Sequence, residues 1–190
     1  MKKHVRNLVS LLNTIQPVRR GAEIGVFRGE TSKELGLAFP GIHLILVDPW
    51  TMWKADTAYY KNHSEMGRLD QSQWDENFKL TLKAIQYAEA EGGSDFEVHV
   101  TESVIAAQQV EDQSLDFVFI DADHSYEAVK ADILAWRPKI RTGGIIAGHD
   151  YKGFRDRRGD YGVSRAVHEI FGESNVIQPV GSSRVWAVRL

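Results

Sequence analysis

Residues Ala22-Glu23-Ile24-Gly25-Val26-Phe27-Arg28-Gly29-Glu30-Thr31-Ser32 read as a buried strand that turns through two glycines straight into a helix. Glycine lacks a Cβ and tolerates unusual φ, so the backbone of such a turn can approach a ligand closely. The next apolar run, Ile42-His43-Leu44-Ile45-Leu46-Val47, ends in Asp48, which stands 25 positions after Glu23. An acid at the end of a second strand is placed to accept hydrogen bonds from ribose hydroxyls. Turn and acid together predict a nucleoside-cofactor site, although an ordinary strand-glycine-helix turn of an α/β protein would carry the same glycines.

Spacing narrows the cofactor. A dinucleotide fingerprint reads G-x-G-x-x-G and seats a pyrophosphate on the helix N-terminus. Here the spacing is E-x-G-x-x-x-G-x-[ST], and Glu30 near the helix start would repel a pyrophosphate. Glu23 suits a ligand bearing a cationic amine or sulfonium. On these residues the chain resembles the class I S-adenosylmethionine-dependent methyltransferases, whose first motif has the E/D-x-G-x-x-x-G form. The resemblance implies that Glu23, Gly25 and Gly29 line the methionine part of the cofactor, and that Phe27 and Thr31 of the same turn also belong to the cofactor site. It further implies that Asp48 holds the ribose diol and that Glu102 and Ser103 reach the adenine amino group. Asp121 and His124 complete the cofactor set.

Strand and helix signals alternate along the rest of the chain. A strand over 22–27 is followed by a helix from about Thr31 to Phe39 and the Pro40-Gly41 turn, then the strand ending at Asp48. Trp74, Phe78, Leu82, Ile85 and Ala88 mark one side of a helix around 70–90 that Gly92-Gly93 ends. Phe96–Val100 alternates as a strand, and Ser103 reads as the N-cap of a short helix through Val110. Leu115–Ile120 is a dense apolar strand ending in Asp121, followed by an amphipathic helix with Tyr126, Val129, Ile133 and Trp136 inward and Pro138 at its end. Ile145–Ala147 is the next strand and Val163–Phe171 the next helix. The tail reads as two strands, Val176–Val180 and Val185–Leu190, around Gly181-Ser182-Ser183. The pattern predicts an α/β, Rossmann-like fold: a seven-stranded, mostly parallel sheet with a C-terminal antiparallel hairpin and helices on both faces. One domain over 1–190 is expected, with an N-terminal helix in 1–19 and an aromatic-rich lid or acceptor insert over 49–69.

Composition excludes several classes of function. There are no cysteines, which removes disulfides, thiolate metal sites and thiol nucleophiles, and fits a reducing cytoplasm. Net charge is −3 and the densest basic stretch, Arg155-Asp156-Arg157-Arg158, is interrupted by acid, so no nucleic-acid partner is expected. No apolar run approaches the roughly 20 residues of a membrane helix, so no membrane partner is expected either. Val5, Leu8, Leu12 and Ile15 recur at helical spacing, which makes the basic N-terminus an amphipathic helix rather than a signal peptide. That helix is a candidate homodimer contact; packing on its own domain is an equally good use of it.

In open parallel sheets, ligands bind outside the carboxyl ends of the strands. The rule collects Gly25 to Gly29, Asp48, Glu102 and Ser103, Asp121 to His124, and His149 to Tyr151 on one rim. Asp121-Ala122-Asp123-His124-Ser125-Tyr126 resembles the methyltransferases related to catechol- and caffeoyl-coenzyme A-type O-methyltransferases. Those read D-A-D-K-x-x-Y here and D-N after the fifth strand, and the acids bind a divalent cation. Asp121 and Asp150 match these metal-binding acids, while Tyr151 stands where the asparagine would. If a metal binds, Mg²⁺ or a similar hard cation would acidify a substrate hydroxyl. If none does, His149 is the general base, oriented by Asp150 or Asp121, with an ordinary pKa of about 6.5. His4, His43, His99 and His168 are expected to be structural, and Arg155, Arg157 and Arg158 are candidates to grip an anionic acceptor. The expected function is methyl transfer from S-adenosylmethionine to a small-molecule hydroxyl. The alternatives are an NAD-dependent oxidoreductase, or a non-catalytic binder of S-adenosylmethionine.

Overall fold

Five parallel strands, β1 (Arg20–Ile24), β2 (His43–Val47), β3 (Asp95–His99), β4 (Leu115–Ile120) and β5 (Ile140–Gly148), form the body of a computed structural model. The structure describes residues 1–52, 66–151, 155–156, 159–160, 162–178 and 184–190, with backbone only at 66, 155–156 and 159–160. Two-residue strands β6 (Arg155–Asp156) and β7 (Gly159–Asp160) pair with each other in a separate ribbon. The last strand, β8 (Trp186–Arg189), lies antiparallel to β5. The sheet order is β3-β2-β1-β4-β5-β8.

Burial follows this order. All six residues of the central β4 are buried, which is why its sequence is apolar rather than alternating, apart from Asp116, whose carboxylate accepts from Arg19 N and Arg20 N and pairs with Arg141. β3, at the edge, has no fully buried position. Side chains alternate between the faces with period two. Leu44, Leu46, Phe117, Phe119, Ile145 and Ala147 pack under α1 (Lys3–Leu12), α2 (Glu30–Ala38) and α3 (Gln71–Gly92). Ala22, Ile24, Ile45, Val118 and Ile120 pack on the other face under α4 (Ser103–Ala107), α5 (Tyr126–Trp136) and α6 (Val163–Phe171). The chain passes to opposite faces on either side of the β1–β4 pair, so the topological switch point lies at their carboxyl ends.

Several expected elements shift, each for a local reason. β1 stops at Ile24 rather than 27 because Gly25 turns to φ 87° and Asp48 takes the N–H groups of Val26 and Phe27 out of the ladder. Ser103 is not an N-cap: Glu102 has the extended cap conformation, and the helix ends at Ala107 rather than Val110. α3 starts from a capping box, Asp70 accepting from Gln73 N and Gln73 Oε1 from Asp70 N, a signal present in Asp70-Gln71-Ser72-Gln73. The tail yields one strand and a single antiparallel bridge, Ile177 to Ala187. Among the described residues the main sheet therefore has six strands, not seven.

α1 is shorter than the 1–19 segment assigned to it and is followed by a 3₁₀ turn, Asn13–Ile15. Val5, Leu8 and Leu12 are almost fully buried within the chain itself, so the apolar stripe that suggested a dimer contact is already covered. Of the expected lid, 53–65 lies outside the described residues. Its first aromatic, Trp50, is 3% exposed, with its ring 4.8 Å from Phe78, a core position. No helix among the described residues is long and apolar enough to cross a membrane.

Candidate functional site

The glycine turn is built against the end of β4. Asp121 N donates to Ile24 O at 2.8 Å, and a Cβ on Gly25 would stand 2.3 Å from Asp121 O. The missing side chain thus admits the neighbouring strand, not only a ligand. Gly29, at φ 69°, is the cap position of α2, and a Cβ there would meet Thr81 of α3 at 3.1 Å. Thr81 Oγ1 and Trp50 Nε1 both donate to Phe27 O, at 2.9 and 2.8 Å. That explains why α3 turns a polar Thr81 inward where the sequence pattern chose Phe78 and Leu82.

Asp48 is 7% exposed and accepts three backbone bonds: Val26 N (3.0 Å) and Phe27 N (2.9 Å) on Oδ2, and Trp50 N (2.8 Å) on Oδ1. Burial raises its pKa, opposed by these same N–H groups. With Oδ2 holding two donors and Oδ1 one, Oδ1 keeps a lone pair able to accept a further hydrogen bond. Phe27 and Trp50 are held at φ 56° and 40°, and Asp150, after β5, at 55°. Such left-handed non-glycine residues cost on the order of 1–3 kcal/mol each and gather at functional sites.

Glu23 lies beneath the turn, 2% exposed, with Ser32 Oγ donating to it at 2.5 Å. Burial pushes its pKa up to about 8, against the Ser32 bond and with help from the charges of Asp121 and Asp48. Thr31 is buried, its hydroxyl 3.5 Å from His4 Nε2. Glu102 is exposed. Ser103 faces away from the rim network: its hydroxyl accepts from Trp136 Nε1 at 2.9 Å and bonds Asp132, whose pKa burial drives up to about 6.

Asp121, His124, His149 and Asp150 converge as their places at strand ends predict. His124 Nε2 is 3.3 Å from both Asp121 Oδ1 and Asp150 Oδ2. His149 Nδ1 is 3.1 Å from Asp150 Oδ2 and 3.8 Å from Asp121 Oδ1. Burial lowers the pKa of both imidazoles, but the carboxylates outweigh it and both end raised. Asp150, although buried, is held far below the usual carboxylate range by His149, His124 and Arg184.

Two members of the cluster escaped the sequence reading. Arg184 donates to Asp150 Oδ1 at 2.9 Å. The antiparallel register, Gly148 opposite Trp186 and Tyr151 N bonded to Arg184 O, would have placed it there. His4 of α1 brings its ring within 5.1 Å of His149. Burial and then the charge of His149 lower its pKa, so adjacent imidazoles are driven in opposite directions. Tyr151 turns away, its hydroxyl 2.6 Å from His168 Nε2 on α6. The side chains of Arg155, Arg157 and Arg158 lie outside the described residues.

A parallel sheet with a glycine turn at its switch point and an acid ending the neighbouring strand defines an α/β protein of the nucleoside-binding class. The chain belongs to the methyltransferase domain family, which it matches over residues 22–151. No curated protein matches it by sequence. Among solved structures it is similar to an O-methyltransferase from Bacillus cereus in complex with SAH, at 19% identity and a TM-score of 0.62, covering 100% of this chain and 82% of that one. It is also similar to the O-methyltransferase TomG from Streptomyces achromogenes in complex with SAM (18%, TM-score 0.60, 100% and 80%). A methyltransferase from Geobacter sulfurreducens matches at 13% identity and a TM-score of 0.62, over 100% and 78%. At these identities the likeness is one of fold.

Proposed function

We propose that the protein transfers a methyl group from S-adenosylmethionine to a hydroxyl oxygen of a small molecule, with His149 as the general base. The observation that carries this reading is the meeting of the glycine turn, Asp121 and the His149–Asp150 pair at one switch point. S-adenosylmethionine supplies an electrophilic methyl group on a sulfonium. Gly25, Phe27, Gly29, Thr31 and Asp48 would hold it, with Glu23 beneath. His149 takes the proton of the acceptor hydroxyl as the oxygen attacks; Asp150 and Asp121 fix the ring and balance the charge it gains. A base whose pKa is raised above about 6.5 is well matched to this task near neutral pH.

Asp121, His124 and Asp150 also present two carboxylates and an imidazole with ligating atoms within 4.8 Å of one another. Mg²⁺ prefers oxygen ligands in near-octahedral geometry. Here Asp150 is paired to Arg184, imidazoles sit between the acids, and Tyr151 is bonded to His168. The set fits Mg²⁺ poorly, and no step of this reading runs through a metal.

Titration calorimetry with S-adenosylhomocysteine, with and without Mg²⁺ and with NAD as control, is the test. Binding of the homocysteine compound alone is expected, unchanged by Mg²⁺. Binding of NAD alone would favour an oxidoreductase, and no binding by folded protein would end the reading.

Glu23 makes the same titration pH-dependent. Its pKa of about 8 means that the free protein carries it protonated at neutral pH. A cationic ligand group nearby favours the ionised form, so binding releases a proton. The sign follows from linkage: affinity rises with pH up to about 8 and levels off above it, by at most about tenfold per unit. Glu23→Gln is expected to flatten that slope. An equal slope in wild type and variant would place the proton elsewhere.

A further inference from the structure

On the face of α3 next to the glycine turn, two buried N–H groups have no partner. Trp74 is 3% and Asn77 2% exposed, yet neither Trp74 Nε1 nor Asn77 Nδ2 makes a hydrogen bond. Three residues apart on one helix, they share a face. A buried donor left unpaired costs about 1–3 kcal/mol, and native proteins keep few of them. Two on one face call for a reason.

Their surroundings supply one. The Trp74 ring stands edge-on to Phe27, with centroids 5.9 Å apart. The Arg28 guanidinium lies 4.8 Å from the Phe27 centroid and donates through Nε to Asn77 Oδ1 at 2.8 Å. Arginine only donates, so this bond fixes the amide with its oxygen toward Arg28 and leaves the NH₂ as the free group. Every unpaired polar group in the cluster is therefore a donor: the indole N–H, the amide NH₂ and the guanidinium's terminal N–H groups. Among the described residues no carboxylate lies within ion-pair distance of Arg28. Arg28 is exposed, so the cluster reaches solvent through it. Phe27, at φ 56°, ties the cluster to the cofactor turn.

We propose that Arg28, Trp74 and Asn77 form an oxyanion subsite that takes a carboxylate or phosphate group of a ligand bound at the glycine turn. An all-donor set with one permanent cation suits an oxyanion and no neutral or cationic group. The anion is either the carboxylate of the cofactor's amino-acid tail, an arm that rests on the methyl-transfer reading, or an anionic group of the acceptor.

Trp74→Phe keeps an aromatic ring but removes the N–H together with part of the buried indole; Asn77→Asp keeps the shape and places a negative charge in the subsite. Wild type and both variants are titrated with S-adenosylhomocysteine, with 5′-methylthioadenosine (which lacks the amino-acid tail), and with inorganic phosphate in the absence of either nucleoside. Without ligand, Trp74→Phe is expected to melt lower than wild type, because the smaller ring leaves a cavity, so all affinities are compared at a temperature where every protein is folded. A roughly ten- to hundredfold loss for S-adenosylhomocysteine, with 5′-methylthioadenosine unaffected, assigns the anion to the cofactor. A similar loss for inorganic phosphate with S-adenosylhomocysteine unaffected assigns it to the acceptor. Unchanged affinities for every probe overturn the proposal. Phosphate binding is read without a nucleoside, so failure of the methyl-transfer reading leaves this arm standing.

Discussion

Gly25→Ala is expected to destabilise the protein by about 4 kcal/mol, a large part of the 5–15 kcal/mol that holds a typical domain together. Two independent costs add. The residue sits at φ 87°, where an L side chain loses roughly 1–2 kcal/mol. Its Cβ would also stand 2.3 Å from Asp121 O and 2.7 Å from Ala122 Cα, both backbone atoms that no rotamer change can move. Relief requires β1 and β4 to separate at their carboxyl ends, and forced overpacking of this kind costs about 1–3 kcal/mol. Two other glycines provide the scale. At Gly41, φ is 76° with nothing within 4 Å, so alanine should cost only the conformational part, about 1 kcal/mol. Gly29→Ala, with Thr81 at 3.1 Å, should fall between. Urea unfolding of the three variants checks the order through the midpoints, with m unchanged. If Gly25→Ala and Gly41→Ala cost the same, β4 does not press on the turn as described.

How much of this was legible in the sequence depends on which interaction decides each position. β4 was readable to the residue because a central strand buried on both faces is dense in apolar residues, and Leu115–Ile120 is bounded by Ser114 and Asp121; its one acid, Asp116, is satisfied by Arg19 N, Arg20 N and Arg141. The gathering of Asp121, His124, His149 and Asp150 was readable too, since strand ends in a parallel sheet share a rim. Hydrogen bonds between distant segments were not. Nothing local says that Asp48 turns back to cap Val26 and Phe27, that Ser103 serves Trp136, or that α3 buries Asn77 and Thr81 to hold a loop 50 residues away in the sequence. His4 looked structural because it sits on a helix position with no partner pattern in the sequence; only the packing of α1 brings it to His149. The first of the two tail strands does not form among the described residues for a related reason. Val176–Val180 has the right residue types, but Ile177 forms only a lone bridge to Ala187, and alternation cannot reveal whether a partner is in register.

Asp150→Asn is the substitution expected to separate catalysis from cofactor binding most sharply. Asp150 Oδ2 holds His149 Nδ1 at 3.1 Å and faces His124 Nε2 at 3.3 Å, while Oδ1 takes Arg184 at 2.9 Å. An asparagine has one acceptor oxygen and turns an NH₂ either toward the guanidinium or toward the imidazoles. One partner is then faced by a donor, and Asp121 alone remains to balance two histidines and an arginine. His149 loses its orienting bond and one of the two charges that raise its pKa. Formation of S-adenosylhomocysteine in the presence of a hydroxyl acceptor should fall by about 10²–10⁴-fold, the usual contribution of a positioned general base. Affinity for S-adenosylhomocysteine, measured by calorimetry, should stay within about threefold, because among the described residues no hydrogen bond or ion pair links Asp150 to the glycine turn or Asp48. The pH profile supplies the sign. In wild type the rate falls as pH drops through the raised His149 value, since a protonated ring accepts nothing. In the variant that limb moves to lower pH, because the charge that favoured protonation is gone. Stability has an acid limb of its own, at lower pH. Wild-type Asp150, its pKa depressed in the fold, contributes above its unfolded value of about 3.8 and loses that contribution as pH falls below it. The variant has no such acid limb. A rate unchanged by Asp150→Asn would remove His149 as the base. Lost S-adenosylhomocysteine affinity at an unchanged pH limb would instead make Asp150 a cofactor ligand and leave alignment of donor and acceptor as the source of the rate.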